Sequence, residues 1–515
     1  MNPSRSCRII AKLACAGAIS FLSCDALASP LLEVIGGFGG EGGLQGRAYP
    51  GGPSSAYFNP ALLTDSPAGL SVGFYVLSQQ VGVSLDRRPD PSFDVPEGIQ
   101  QAHHADGITP FSSLPLPTIV LQNGRPASAA GIEALPARPR QAAGTGQEVF
   151  TYEMIGLIAK FFRKQLSFGF YALIPNGNFT LLRAPYVDER EQYFSNSLHP
   201  ELYSDRLTAI SLAPGIGVAL SDEVSIGALA TIGLKAGVGA PVYVANAGKL
   251  NELLLTLDSN VNVSVSPHFG LSYKPTDRLR LTGTVHTPQK VELQASYTFL
   301  LATGVSQTSG ISFVLDYMPW QLGAGAAYDV VKSAKDTVTV VGSGLLGLWS
   351  NYIDRHGERP HAAYPWADTL TGTAGVRYKH DPVGLFFDMQ YKPSPVPPQT
   401  GRSSYVDNDT LAFEAGYDFS FRALDTGMRI GAQFQTSRLI PRHQWKLMPP
   451  NAPDGRPHTP ALVKDEVPDD AMVFQNGEDV AFAGREGLQT NSPGFPGYGS
   501  SGWLVGGGVY FTVEM

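Results

Sequence analysis

The sequence predicts an all-β fold: a transmembrane antiparallel β-barrel of about fourteen strands with an N-terminal hatch (plug) inside the lumen. Three observations carry this expectation. An export signal opens the chain. Segments of about ten residues with period-2 alternation recur along it. Charged residues make up only 16%, against about 25% in an ordinary soluble domain.

The signal spans residues 1–28. Arg5, Arg8 and Lys12 form a positive start, Leu13 to Ser23 an apolar stretch, and Ala26-Leu27-Ala28 a small-residue cleavage site. The stretch is too short for a membrane helix. Leu22-Ser23-Cys24 loosely resembles a lipobox, which leaves lipidation as an alternative, although Phe21 is a poor residue before it. Cleavage after Ala28 removes Cys7, Cys15 and Cys24, all the cysteines of the chain. Disulfides and thiol chemistry then play no part. The full chain has a net charge of −8, and losing the cationic signal makes it more acidic. That balance argues against a nucleic-acid partner, which would favour a basic surface.

Gly 57, Tyr 21 and Phe 26 suit strands, tight turns and aromatic girdles. The final segment alternates most cleanly. Trp503, Val505, Val509, Phe511, Val513 and Met515 share one face, opposite Leu504, Gly506, Gly508, Tyr510, Thr512 and Glu514. In Val383–Lys392, Leu385, Phe387, Met389 and Tyr391 oppose Asp388 and Gln390; in Leu411–Phe421, Phe413, Tyr417 and Phe419 oppose Glu414 and Asp418. Charges fall on the inward face because the other face meets hydrocarbon. The pattern predicts strands over Ala68–Asp86, Glu148–Phe162, Leu166–Ile174, Leu207–Leu220, Val224–Ala236, Val261–Tyr273, Leu279–Leu300, Trp320–Val330, Thr337–Tyr352, Leu370–Lys379, Val383–Lys392, Leu411–Phe421, Met428–Arg438 and Gly502–Met515. Short, mostly charged connections alternate with long ones. The two longest, 87–147 and 439–501, are rich in Pro and Gly and read as outer loops. Residues 29–67 precede the first strand and are the expected hatch; residues 68–515 are the barrel.

"SSAYFNPALL", Ser54 to Leu63, lies in that hatch. Pro60 fixes its own φ and pushes Asn59 out of the helical region, while Asn59 can bond nearby backbone groups. Tyr57 and Phe58 offer apolar surface to the barrel wall, and the Gly36–Gly46 run reads as a flexible tether. The bland alternative is a structural turn that fixes entry into the first strand. The aromatic–Asn-Pro-Ala turn, "YALIPNGNF" from Tyr171, "PHFGLSYKPTDRLRLTGTVHTPQKVEL" and "YKPSPVPPQTGRSSYVDNDTLAFEAGYDF" together resemble the FadL/TodX family of outer-membrane transporters of long-chain fatty acids and aromatic hydrocarbons. The resemblance covers essentially the whole mature chain. It implies a hatch gated at Tyr57, Phe58, Asn59, Pro60 and Ala61, and a lateral opening at Pro175, Asn176, Gly177 and Asn178. The chain departs from the family in a short connection over Gly237 to Asn260, an enlarged final loop and a terminal Met515.

Other constellations are weaker. "GGFGGEGG" follows no parallel strand and opens no helix, so it is not a phosphate loop. His103-His104 reads as solvated loop histidines, and Asp407-Asn408-Asp409 as loop-ordering or an ion site lacking the rest of an EF-hand. His286 reads as a lumen residue. No nucleophile, zinc or redox motif occurs, so the expectation is a non-enzyme without cofactor or metal. Lys235 is the candidate contact for an acidic head group, with a lumen ion pair to Asp388 or Glu414 as its alternative. The expected function is passive uptake of a hydrophobic small molecule by a monomer in the outer membrane of a Gram-negative bacterium. Its other partners are the membrane lipids and the barrel-assembly machinery. The alternative is a non-transport barrel that displays its long loops for adhesion or envelope interaction.

Overall fold

The computed structural model describes residues 30–85, 121–122, 125–126, 143–162, 164–176, 199–200, 207, 210–244, 253–255, 258–301, 306–353, 359, 365–398, 405–423, 425–445, 473–475, 478–480 and 497–515. Residues 1–28, the expected signal, lie outside them.

Strands β1 (Gly69–Leu85), β2 (Ala143–Phe161), β3 (Leu166–Pro175), β4 (Ile210–Ala219), β5 (Val224–Val244), β6 (Asp258–Tyr273) and β7 (Leu279–His286) build one side of the wall. The chain then leaves the wall as a hairpin, β8 (Gln289–Leu301) and β9 (Ser306–Met318). It returns as β10 (Gln321–Lys332), β11 (Asp336–Gly347), β12 (Thr369–His380), β13 (Val383–Lys392), β14 (Thr410–Ala423), β15 (Thr426–Trp445) and β16 (Gly497–Glu514). Each wall strand pairs antiparallel with the next, β7 pairs directly with β10, and β16 pairs with β1, which closes a fourteen-stranded ring. Closure leaves every wall strand with two partners, as hydrocarbon surroundings demand.

The alternation does what it predicts. Phe387, Met389, Tyr417, Ile430, Phe434, Trp503, Val505 and Val509 are exposed, while Asp388, Glu414, Asp418, Gln433 and Gln435 are buried. An apolar exterior around a polar interior inverts the soluble pattern and is the surface a lipid solvent selects. Among the described residues no helix is long and apolar enough to cross a membrane, and the strands carry the crossing.

Two expectations about the wall need correction. The predicted strand Leu279–Leu300 is two elements, β7 and β8, and the predicted connection from Gly237 to Asn260 is mostly strand. Pro288, two residues past the last ladder residue His286, has no N–H, so the alternation continues in sequence while the pairing stops. The released β8 pairs in parallel with the outer end of β5, Tyr297↔Ala240 to Leu301↔Val244. Leu253–Leu255 continues β6's register on β5. β8 therefore takes β5's other edge, beyond the point where β4 begins at Ile210↔Leu234. An edge that would stand bare is covered.

Residues 30–64 fill the lumen. α1 (Pro30–Ile35) leads into a glycine turn, followed by a 3-10 turn (Gly52–Ser54), α2 (Ser55–Phe58) and a second 3-10 helix (Pro60–Thr64). Leu31, Leu32, Ile35, Phe38, Tyr57 and Leu62 are fully buried. Phe38 meets Tyr75 of β1 and Tyr510 of β16 edge-on, at 5.2 and 5.7 Å between centroids. The glycine run is folded rather than an open tether. Gly37 and Gly43 exchange backbone hydrogen bonds of 2.7 and 3.1 Å, and Gly43 takes φ +50°, which a side chain would resist.

Candidate functional site

The hatch turn is bonded on all its polar sides. Asn59 is extended (φ −157°, ψ 97°), as a residue before proline should be. Its Oδ1 accepts from Ala61 N at 3.2 Å and so caps the 3-10 helix that Pro60 begins. Its Nδ2 donates to Arg47 O within the hatch (3.1 Å) and to Leu271 O on β6 (3.3 Å). One fully buried side chain thus joins two hatch segments to the wall.

The wall is thinned where this turn lies. A Cβ on Gly227 would overlap Pro60 and Ala61 backbone, and a Cβ on Gly270 would overlap Asn59 Oδ1. Close approach of hatch main chain at Gly227, and of the Asn59 and Pro60 side chains at Gly270, is why these two positions lack side chains. Gly270→Ala is expected to push Asn59 from its seat while leaving the ladder intact. Proteolysis within residues 30–64 of the folded protein should then rise at least several-fold over wild type. Equal protection would show that the turn does not depend on this contact.

Tyr57 and Phe58 lie on the inner face of the turn. Tyr57 Oη donates to Glu33 at 2.7 Å, and its ring stands edge-on to His268 of β6 and His286 of β7 (5.5 and 5.3 Å). The two imidazoles stack at 3.8 Å and are buried, which places His286 in the lumen as expected. Arg47 pairs with Glu33 at 2.5 Å and lies over the Phe58 ring at 5.2 Å. Burial pushes the Glu33 carboxyl up, but the Arg47 charge and the hydrogen bonds from Arg47 and Tyr57 outweigh it and hold the group below the usual carboxylate range.

A second fastening sits on β12 and β13. Arg377 and Asp388 form a two-armed ion pair (2.5 and 2.9 Å), with both side chains almost completely buried. Each partner also holds the hatch: Asp388 accepts from Leu44 N at 3.0 Å, and Arg377 donates to Gly42 O at 2.8 Å. Its guanidinium lies between the rings of Tyr49 and Phe386, at 5.3 and 5.0 Å. Gln435 Nε2 to Val34 O (2.7 Å) and Ser343 Oγ to Gln45 Oε1 (2.8 Å) add to the attachment.

The structure brings together Tyr57, Phe58, Asn59, Pro60 and Ala61 as one buried cluster. Pro175 ends β3 opposite Tyr152, and Asn176 N–H still donates to Thr151 O at 2.8 Å. On the other edge, the β3–β4 ladder ends at Leu173↔Ser211. Gly177 and Asn178 lie outside the described residues. The backbone of Lys235 lies in β5 opposite Asn262, with its side chain outside the described set. Asp388 and Glu414, its suggested partners, bind Arg377 and Gln433. Asp409 accepts from Tyr391 Oη (2.7 Å) and Ser394 N (2.8 Å), and Asp407 from Ser394 Oγ (2.6 Å), which is loop-ordering. Sequence reading missed Arg377, His268 and the wall glycines.

No protein-family model matches the chain, and no curated protein matches it. Among solved structures it is similar to a Pseudomonas aeruginosa FadL homologue, with 14% identity, a TM-score of 0.52, and 95% of this chain and 99% of that one covered. It is also similar to the Pseudomonas putida toluene transporter TodX, with 11% identity, a TM-score of 0.45, and 95% and 99% covered. The fold is therefore that of the FadL homologue, matched over nearly its full length.

Proposed function

We propose that this barrel is an outer-membrane channel of the FadL/TodX kind, which passes hydrophobic small molecules such as long-chain fatty acids or hydrocarbons by hatch movement and lateral exit through the wall. The observation that carries the reading is the hatch: a lipid-facing barrel whose lumen is filled by residues 30–64. An open porin for polar solutes needs a clear lumen, and a barrel that only displays loops needs no fitted plug. The fold shared with the FadL homologue supports the same reading. Lipopolysaccharide is a poor solvent for apolar compounds, so they need a protein path. A solute that avoids an aqueous exit leaves sideways, and the wall beside Pro175 to Asn178 is one place for it, because proline cannot donate to a ladder. Lys235 remains the candidate head-group contact if the solute is a carboxylic acid.

Cross-linking tests the hatch directly. A Cβ built on Gly169 of β3 would lie 3.2 Å from Ala56 Cβ, close to disulfide range, with only the end of the Leu63 side chain to shift. The chain has no cysteine after Cys24, so the background is clean. In Ala56→Cys/Gly169→Cys, oxidation is expected to stop uptake of a radiolabelled fatty acid or alkane, and reductant to restore it. Full uptake in the oxidised protein would leave the hatch a purely structural element.

A further inference from the structure

The seam between β6 and β7 is the shortest in the ring. Their ladder has six pairs, from Tyr273↔Leu281 to His268↔His286, although β6 itself runs on to Asp258. At about 3.4 Å per residue and a tilt near 40°, six pairs rise roughly 15 Å, against an apolar band about 25 Å tall. The outward-facing neighbours Leu322 and Trp320, at the same level on β10 and just beyond it, are still exposed apolar side chains. The ladder therefore stops inside the lipid zone. Beyond it, among the described residues, β6 from Asp258 to Pro267 has a ladder on one edge only, to β5.

The stop is built from the chain's own chemistry. The N–H and C=O of one strand residue point the same way, and Pro267 O accepts from Thr287 N at 3.3 Å. The donor that Pro267 lacks is therefore the one that would face Thr287 O, and the Ser266 hydroxyl stands in for it at 3.3 Å. Pro288 follows at once; its missing donor faces the opposite edge, towards β10, so the strand loses its ladder on that side as well. Directly behind this point stand the stacked His268 and His286, and against both lies Tyr57 of the hatch.

We propose that an apolar solute leaves the lumen through the β6–β7 seam, just outward of the His268–His286 pair, with Tyr57 as the inner face of the door. The proposal rests on the transport reading and names its exit. A moving hatch draws Tyr57 off the imidazoles and joins the lumen to the gap.

Photolabelling tests this on the wild-type protein in lipid bilayers. A long-chain alkyl diazirine is added and irradiated, and adducts are mapped by peptide mass spectrometry. Adducts are expected on residues 265–268 and 285–290, falling at least tenfold in oxidised Ala56→Cys/Gly169→Cys. Adducts on lumen residues with an exit cluster only around Pro175 would overturn the seam and leave transport standing. A probe that labels no lumen residue at all would overturn the transport reading with it. Pro267→Thr supplies the missing donor towards Thr287 O and is expected to lower alkane uptake about tenfold. If Pro267→Thr folds and takes up alkane normally, the seam is not the exit; should it fail to fold, the adduct map decides alone.

Discussion

Arg377→Ala is expected to release the hatch from β12 and β13 and to open the pore to small polar solutes. The substitution removes both arms of the ion pair to Asp388 and the bond to Gly42 O. It leaves a buried carboxylate without its counter-charge. Breaking a buried pair on one side costs about 3–5 kcal/mol, much of it the penalty of the stranded charge. The barrel's ladders are untouched, so the loss falls on the hatch. Liposome swelling with a small sugar should speed up severalfold, and the midpoint of hatch unfolding in urea should fall. Arg377→Met/Asp388→Leu removes both charges and should recover part of the stability, because an apolar pair of similar volume has no charge to strand. It still lacks the bonds to Leu44 N and Gly42 O, so the leak should remain above wild type. A swelling rate for Arg377→Ala equal to wild type would show that the pair serves only the wall.

Asn59→Ala is expected to produce a comparable loss from the other side of the lumen. It uncaps the 3-10 helix, leaves Arg47 O without its donor and takes a second donor from Leu271 O, which stays in the β6 ladders. A lost cap costs roughly 0.5–2 kcal/mol and the stranded Arg47 O about 1–3 kcal/mol. Asn59→Asp keeps the cap acceptor but presents an oxygen to two carbonyls, so it should be at least as harmful as alanine. Hydrogen exchange of the Ala61 and Leu62 amides measures the effect locally: protection should drop in both variants. Unchanged protection would mean that Pro60 alone holds the turn.

The wall was legible in the sequence and the fastenings were not. A strand facing lipid on one side must alternate, so β13 could be bounded at Val383 and Lys392 without a structure. The β8–β9 hairpin has no place in the ring, so alternation extended across Thr287-Pro288 gave a false continuous strand, and β9 went unread. Asp388 was recognisable as inward, but its partner lies eleven residues away on the neighbouring strand, in register Arg377↔Phe386. Pairing Asp388 with Lys235 was equally consistent with the pattern. The wall glycines carried a signal of a different kind. Gly215, Gly217, Gly227 and Gly270 recur at inward positions where a lumen would ordinarily take polar side chains, and each lies against atoms of the hatch. Absent side chains mark where something packs close, and periodicity counts cannot register them.

The closing ladder dictates an order of assembly. β16 pairs with β1 from Tyr498↔Leu85 to Glu514↔Gly69, so the ring cannot shut until the last residues of the chain are in hand. The hatch belongs to the first residues, just ahead of β1, and its partners are spread around the ring from Tyr75 of β1 to Gln435 of β15. It must therefore wait through the synthesis of nearly the entire protein before its seat exists. Contacts of such sequence separation form slowly. Phe38 touches both strands of the closing seam, Tyr75 on one and Tyr510 on the other. Shutting the barrel and seating the hatch are thus one event at that ring, and a chain shortened by its final strand should lose the hatch along with the wall.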